Sequence, residues 1–444
     1  MVKEVIMRLW VFVFLVVPQL LLAETLTLQQ ARERALQSNN LLKAQASKVE
    51  AAEAVRNQAT SYRLPSLDIN SSYIRTNQPA SAFALKMNQK DFSMMDFSMS
   101  DPNNPDYLDT YLTSIDLTFP LYTGGQVASA VRAAEAQAEG YSHEYDRKRQ
   151  ELLRQVTEVY LGSLLSGEYV HLITKARDTV ARHVKMAEDY FETGFIVESD
   201  VLRARVELSK IEDRLITASN KAREARLALN ILMGTDPESV FELEPVTNLP
   251  ELSGEELDAA VDTALISRPD LQFMNSMIEA LEHNVSRMEG QRLPSLGIKV
   301  SQEWYDDSFL GDTGDATTFA VGLTVPVFSG GRIKSEVGEA RAHLSEMTHN
   351  LKAMEEGVVL QVKQSLYRIE ETKSRIGVAK GNEEAAERNL SIVEERYKKG
   401  IMKITDLLDA DTALTEAYTR TLTARYDYLL AVESYYLATG KEEL

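Results

Sequence analysis

The chain of 444 residues contains no cysteine. Disulfides, thiolate-ligated zinc, cysteine nucleophiles and lipid anchors on cysteine are therefore excluded. Basic residues are short as well: 48 Lys and Arg stand against 67 Asp and Glu, for a formal charge of -19. A nucleic-acid partner is not expected, because binding one needs cations to neutralise phosphates. The mean hydropathy is only -0.25, which argues against a bundle of membrane helices, each needing about 20 apolar residues in a row. It leaves open a membrane β-barrel, whose strands are apolar on one side only.

Proline is scarce and unevenly placed. None of the 12 falls between Pro120 and Pro237, and none follows Pro326. A proline inside a helix costs about 3 kcal/mol, so the two gaps predict two long helical arrays. One core seldom grows past about 300 residues, which also points to more than one structural part.

The start of the chain reads as an export address. Lys3 and Arg8 precede a nearly unbroken apolar stretch from Leu9 to Leu22, which Ala23 closes before the polar Glu24 and Thr25. That is the order of a secretory signal peptide, expected over 1–23. An uncleaved anchor is the alternative.

Most of the remainder is written twice. Arg63-Leu-Pro-Ser-Leu67 recurs as Arg292-Leu-Pro-Ser-Leu296, and Leu117-Thr-Phe-Pro-Leu-Tyr-Thr-Gly-Gly125 recurs as Leu323-Thr-Val-Pro-Val-Phe-Ser-Gly-Gly331. The second correspondence holds without a gap to Gly234 and Gly440, pairing Gly194 with Gly400, Asp200 with Asp406 and Leu202 with Leu408. The expected organisation is a first repeat over 24–234, a proline-rich linker over 235–254 and a second repeat over 255–444. Each repeat holds a helical segment (Leu28 to Tyr62; Glu255 to Gln291), a strand pair and a long helical tract.

The strand pairs alternate. Leu296, Ile298 and Val300 oppose Gly297, Lys299 and Ser301; Leu67, Ile69 and Tyr73 oppose Asp68, Asn70 and Ser72. Ten-residue strands, apolar on one side, have the length to cross a bilayer at a tilt, although a soluble sandwich alternates identically. Four strands cannot close a barrel, so several chains would share one. The first pair carries an inserted loop from Asn77 to Asp109 with Met87, Met94, Met95, Met99, Phe83, Phe92 and Phe97. Soft-metal binding by the methionines is one reading; apolar packing on the barrel rim is the one adopted.

In the long tracts, Val359, Val362, Leu366 and Ile369 step as a heptad seam, matched by Leu153, Val156 and Tyr160. Gly194 and Gly400 break the tracts at matched points. Ser199-Asp200 and Thr405-Asp406 follow and are expected to cap new helices. Each tract then folds into an antiparallel helical hairpin. The fold class expected is α+β, mainly α.

Taken in order, the strand-Gly-Gly-helix element, the matched glycine turns and the leading segment resemble the TolC outer-membrane efflux protein family. The carrying residues are 117–125, 323–331, Gly194 to Asp200 and Tyr397 to Asp409. The resemblance implies a homotrimer sharing a 12-stranded barrel in outer-membrane lipid, four strands from each chain, on a periplasmic helical tunnel, with 235–254 in the equatorial region. It implies two partners, a periplasmic adaptor (membrane fusion protein) and an inner-membrane pump or ABC-type transporter. The gate would be Asp406, Asp409 and Asp200 with Tyr397. Six carboxylates from Asp406 and Asp409 of three chains would attract cations, although Asp406 also suits a helix cap. Gly194-Phe195 and Gly400-Ile401 match the tip motif that docks adaptors. Pro120, Gly124 and Gly125, with Pro326, Gly330 and Gly331, form the strand-to-helix turns. One position departs: Met402 stands where family members often carry arginine. A secreted coiled-coil scaffold without a channel is the competing class. No enzyme, cofactor or metal site is expected, since no H-E-x-x-H, G-x-S-x-G or Walker A pattern occurs. The repeat-equivalent His143 and His349 read as exposed helix residues.

Overall fold

The structure, a computed structural model, describes residues 24–96, 101, 103–246, 248–250, 252 and 257–441. The leading segment over 1–23, Phe97 and Met99 of the inserted loop, and Gly254 of the linker lie outside them. Short elements come first: β1 (Glu24–Leu26), α1 (Leu28–Ser38) and α2 (Asn40–Ser61). The first repeat continues with β2 (Ser66–Thr76), α3 (Pro79–Asn88), β3 (Leu108–Thr123), α4 (Gln126–Glu192) and α5 (Glu198–Met233). After β4 (Phe241–Leu243) come α6 (Leu257–Ser267), α7 (Pro269–Gly290), β5 (Ser295–Asp306), β6 (Gly314–Thr324), α8 (Arg332–Lys398) and α9 (Ile404–Thr439). The chain is mainly helical with few strands. Its long helices have the same lengths in both repeats, 67 residues then 36.

The residues form two units. The first takes the chain up to Asn39, then Leu153–Glu251 and Thr372–Leu430; the second takes Asn40–Leu152, Leu252–Glu371 and the chain from Ala431. Each unit thus draws on both sequence repeats.

The second unit holds a four-stranded antiparallel sheet in the order β2-β3-β5-β6. Its register aligns the alternation of each strand with its neighbours. Leu67, Leu117, Val300 and Phe319 lie in one row across all four strands. The adjacent row, on the opposite face, is Asp68, Asp116, Ser301 and Thr318. Leu67, Ile69, Phe319, Val321 and Leu323 are exposed. On the polar face Asp116 accepts from Ser301 Oγ at 2.7 Å and Asn70 Nδ2 at 3.0 Å, and lies 3.0 Å from Lys299 Nζ. Pro120, which has no N–H to give a ladder, sits where the β3–β5 register shifts.

Helix α3 occupies the inserted loop. Phe83 meets Phe92 with ring centroids 4.8 Å apart, while Met87, Met94 and Met95 are exposed.

The opening helical segment of each repeat is broken where one helix was expected. Asn39 is extended between α1 and α2. Arg268 is extended before Pro269, which opens α7 at a position that tolerates a missing N–H. The reason is the same in both units: a serine at the break reaches a distant helix end. Ser38 Oγ donates to the Met233 carbonyl and Ser267 Oγ to the Thr439 carbonyl. These are repeat-equivalent pairs, one per unit. Gly234 and Gly440 follow those carbonyls in left-handed conformation. A Cβ on either would press on the facing serine.

The linker carries β4, which pairs in parallel with β1 in the first unit. Tyr160 of α4 directs its hydroxyl between the Leu26 and Glu244 carbonyl oxygens, 2.8 Å from each. The heptad seam also differs from expectation. Its buried members are Val358, Val362, Ser365, Ile369 and Thr372, whereas Val359 and Leu366 are half-buried. In the first repeat Leu152, not Leu153, is buried with Val156 and Tyr160. A helix of 3.6 residues per turn drifts from a strict seven-residue repeat, so the centre of the apolar stripe moves by one position.

Candidate functional site

The sequence-expected gate and tip residues all fall in the first unit, at the bends of the two helical hairpins. Helices α4 and α8 end in the same way. Gly194 and Gly400 have φ of 77° and 73°, a region costly to any residue with a Cβ. Gly194 N–H bonds the Phe191 carbonyl and Phe195 N–H the Tyr190 carbonyl; Gly400 bonds Tyr397 and Ile401 bonds Arg396. This double closure satisfies carbonyls left open at a helix end. It turns the next residue outward: Phe195 is 80% exposed and Ile401 70%.

Beyond each glycine a new helix starts. Val197 is the N-cap of α5 and makes no side-chain cap bond. Ser199 and Asp200 therefore lie inside the first turn rather than at the cap. In α9 the cap role expected of Thr405-Asp406 is taken from inside. Asp406 is the third helical residue, and its Oδ2 accepts from the Lys403 backbone N–H at 3.1 Å. Carboxylates in a first helical turn also face the positive end of the helix dipole. Asp406 is half-buried and Asp409, three residues on, is exposed. Leu407, Leu408 and Ala410 on the other side of the helix are buried.

Those residues join a core built from both hairpins. It includes Ile173, Val180, Val184 and Ala187 of α4, Val201 and Ala204 of α5, Val393 and Tyr397 of α8, and Ile404 of α9. Met402 packs against it, while Lys403 is exposed. The departure from arginine thus places an apolar side chain on an apolar core.

Tyr397 is only 2% exposed, and its hydroxyl has no hydrogen-bond partner among the described residues. Its ring lies against Tyr190 of α4, centroids 5.8 Å apart. Burial pushes the hydroxyl up to about 12, and the charges of Tyr190 and Asp200 add to the effect. Across the hairpins, the Tyr190 hydroxyl meets the Lys398 carbonyl at 3.4 Å and the Tyr426 hydroxyl donates to Glu168 at 3.1 Å.

Sequence reasoning missed one pair. His183 of α4 and Asp411 of α9 are 5% and 8% exposed, with Nε2 and Oδ2 2.6 Å apart. The signal was present: His183 follows Val180 by three and precedes Ala187 by four, and Asp411 follows Ile404 by seven. Both occupy core positions of their helices. His349 is exposed as expected, while His143 is half-buried.

In the second unit, Gly124 and Gly125, with Gly330 and Gly331, are left-handed at the strand-to-helix turns. At Gly124 space is limiting too, because a Cβ would run into the Gly290 carbonyl. Pro326 lies just past β6. Among the described residues no three His, Asp or Glu side chains gather as a metal-binding group, and no helix is long and apolar enough to cross a membrane.

The chain is 23% identical over 338 residues to outer membrane efflux protein BepC of Brucella suis, covering 76% of this chain and 73% of that one. It is 24% identical over 329 residues to alkaline protease secretion protein AprF of Pseudomonas aeruginosa, covering 73% and 68%. To outer membrane protein TolC of Escherichia coli it is 22% identical over 424 residues, covering 92% and 81%. Among solved structures, the CmeC outer membrane channel of Campylobacter jejuni superposes with a TM-score of 0.80 at 19% identity, covering 94% of this chain and 87% of that one. CusC superposes with a TM-score of 0.81 at 16% identity, covering 93% and 92%. Residues 31–235 and 260–441 match the outer membrane efflux protein family, and the chain belongs to that family.

Proposed function

We propose that this chain, as a homotrimer, forms the exit duct of a tripartite efflux or type I secretion system, with its sheet in the outer membrane and its helical hairpins in the periplasm. The observation that carries the reading is the four-stranded sheet with one exposed apolar face and two open edges, β2 and β6. Buried in water, such a face would need a covering layer; in a bilayer it needs none. Open edges call for further strands, and three copies supply the twelve of a closed barrel. On this reading the leading 1–23 segment directs export. The chain divides into repeats over 24–234 and 255–444 joined by an equatorial segment over 235–254. Both the efflux name of BepC and the secretion name of AprF fit a duct that receives substrate from an inner-membrane pump or ABC-type transporter through a periplasmic adaptor.

Two functional regions follow. Phe195 and Ile401, turned outward by Gly194 and Gly400, are the docking points for the adaptor. Asp406 and Asp409, with Asp200 and Tyr397 beside them, form the periplasmic gate, whose carboxylates bind cations. The purified full chain is expected to need detergent, to run as a trimer, and to conduct in planar bilayers with block by divalent cations from the gate side. Asp406→Asn with Asp409→Asn keeps an acceptor for the Lys403 N–H and removes the charge, so block is expected to fall at least tenfold. A soluble, non-conducting monomer would refute the duct. Unaltered block in the double variant would refute the gate alone.

A further inference from the structure

We propose that a cavity between α4, α5 and the linker strand β4 binds a small phenol-like molecule, a compact apolar ring carrying one hydroxyl, through Asn230. The inference goes beyond the duct reading and does not depend on it, because every residue of the cavity belongs to the first unit.

The cavity holds about 260 Å³. Leu164 of α4, Leu229 of α5, and Phe241, Leu243 and Pro245 of the linker supply its apolar walls. A dry apolar cavity of about 150 Å³ accepts benzene, so this one has room for a substituted ring. The linker wall is fixed by contacts of its own, as a preformed site requires. Strand β4 pairs with β1, the Tyr160 hydroxyl bonds the Glu244 carbonyl, and the Arg34 guanidinium lies 5.2 Å from the centre of the Phe241 ring.

Asn230, in the last turn of α5, has no exposed surface. Its Nδ2 donates to the Pro237 and Ser239 carbonyls, at 2.9 Å each. Carbonyls only accept, so these two bonds settle which end of the amide faces the linker. Oδ1 is left over, buried and without a partner among the described residues. Buried acceptors are rarely left unpaired in folded proteins, and Asn230 lines the cavity. A ligand that donates one hydrogen bond completes it. Ser163, 8% exposed on the same wall, adds a hydroxyl that can donate to the ligand's own oxygen. Of the charged wall residues, Glu168 accepts from the Tyr426 hydroxyl at 3.1 Å and Arg226 is exposed. A neutral hydroxyl therefore suits the interior better than a charged group. Water could satisfy the two polar side chains, but it would leave the apolar walls without contacts that a ring supplies.

The internal repeat shows what makes the space. The positions matching Gly167, Ala222 and Leu229 in the second repeat are Lys373, Tyr428 and Tyr435, and the position matching Asn230 is Tyr436. Small residues and the amide acceptor thus occur together, in one of the two repeats.

The test is calorimetric titration of the purified full chain with 4-methylphenol and with 4-methylanisole, which has nearly the same shape and no donor. The parent is expected to take a single 4-methylphenol per chain and to bind 4-methylanisole about tenfold more weakly, as a site built around a hydroxyl does. Ala222→Phe fills the cavity and should abolish the binding, which also corrects for uptake of either compound by detergent. Should that chain fail to fold, Gly167→Leu fills the space from α4, where an added Cβ meets nothing within 4 Å. Asn230→Leu should bring the two ligands to about equal affinity, since the acceptor is gone. Binding of neither ligand would leave the cavity to water and overturn the site. So would equal binding of both by the parent, or binding that survives the filled variants. A parent that conducts in bilayers but binds neither compound loses this site and keeps the duct reading.

Discussion

Tyr397 shows how a residue's chemistry changes with its surroundings. Its hydroxyl is buried without a partner, against Tyr190 and within reach of the Asp200 charge. Burial, first, and those charges raise its pKa to about 12, whereas in the unfolded chain a tyrosine ionises near pH 10. As pH rises, the unfolded chain therefore releases this proton first. The stability linked to the group is present in full below about pH 10 and is lost progressively up to about 12. Tyr397→Phe removes a buried polar group that has no bond to lose, so its melting temperature near neutral pH should equal or exceed that of the parent. Its decline between about pH 10 and 12 should also be shallower. Thermal melts of parent and variant across that window check this. Parallel curves would mean that burial does not raise this pKa, and a variant destabilised by more than about 1 kcal/mol at neutral pH would mean that the hydroxyl has a bonding partner.

At the scale of elements, the duplication was the most legible feature, because it is a property of the sequence itself. Proline gaps and matched glycines suffice to place hairpins whose helices agree in length to the residue. The glycine turns were legible for a local reason, since a left-handed residue followed by an apolar one is a short-range signal. What sequence reasoning could not place depends on distant partners. The breaks at Asn39 and Arg268 exist because Ser38 and Ser267 reach helix ends about 200 residues away, and β1 is a strand only because β4 lies beside it. His183 and Asp411 were passed over because a polar residue at a heptad core position announces a cost and not its compensation. The seam itself was read one residue off, and this has a measurable consequence. Val358 is almost fully buried while Val359 is half-buried. Val358→Ala should destabilise by about 2 kcal/mol, and Val359→Ala by less than about 1. Melting temperatures of the two variants should separate accordingly, and equal losses would restore the original register.

At the scale of the whole molecule, the question is how an acidic chain with unremarkable mean hydropathy can enter a bilayer. The answer lies in segregation by single residues. Along β6, Phe319 belongs to the apolar row with Leu67, Leu117 and Val300, while Thr318 belongs to the polar row with Asp68, Asp116 and Ser301. A lysine on a lipid-facing row costs about 2–4 kcal/mol near the bilayer midplane. On the polar row it would meet water and the Asp116 carboxylate instead. Phe319→Lys should therefore sharply reduce the yield of detergent-stable trimer recovered from outer membranes, and Thr318→Lys, one residue away, should leave it near the parent level. The contrast separates a membrane sheet from a soluble one. In a soluble sandwich the Phe319 row would be the core against a second sheet, so Phe319→Lys would unfold the chain in detergent-free buffer as well. On the proposed duct reading the helical hairpins keep their cores regardless, and the Phe319→Lys chain should still show the parent's helical circular dichroism while failing to insert. Loss of helicity along with insertion would place the sheet at the centre of a water-soluble fold.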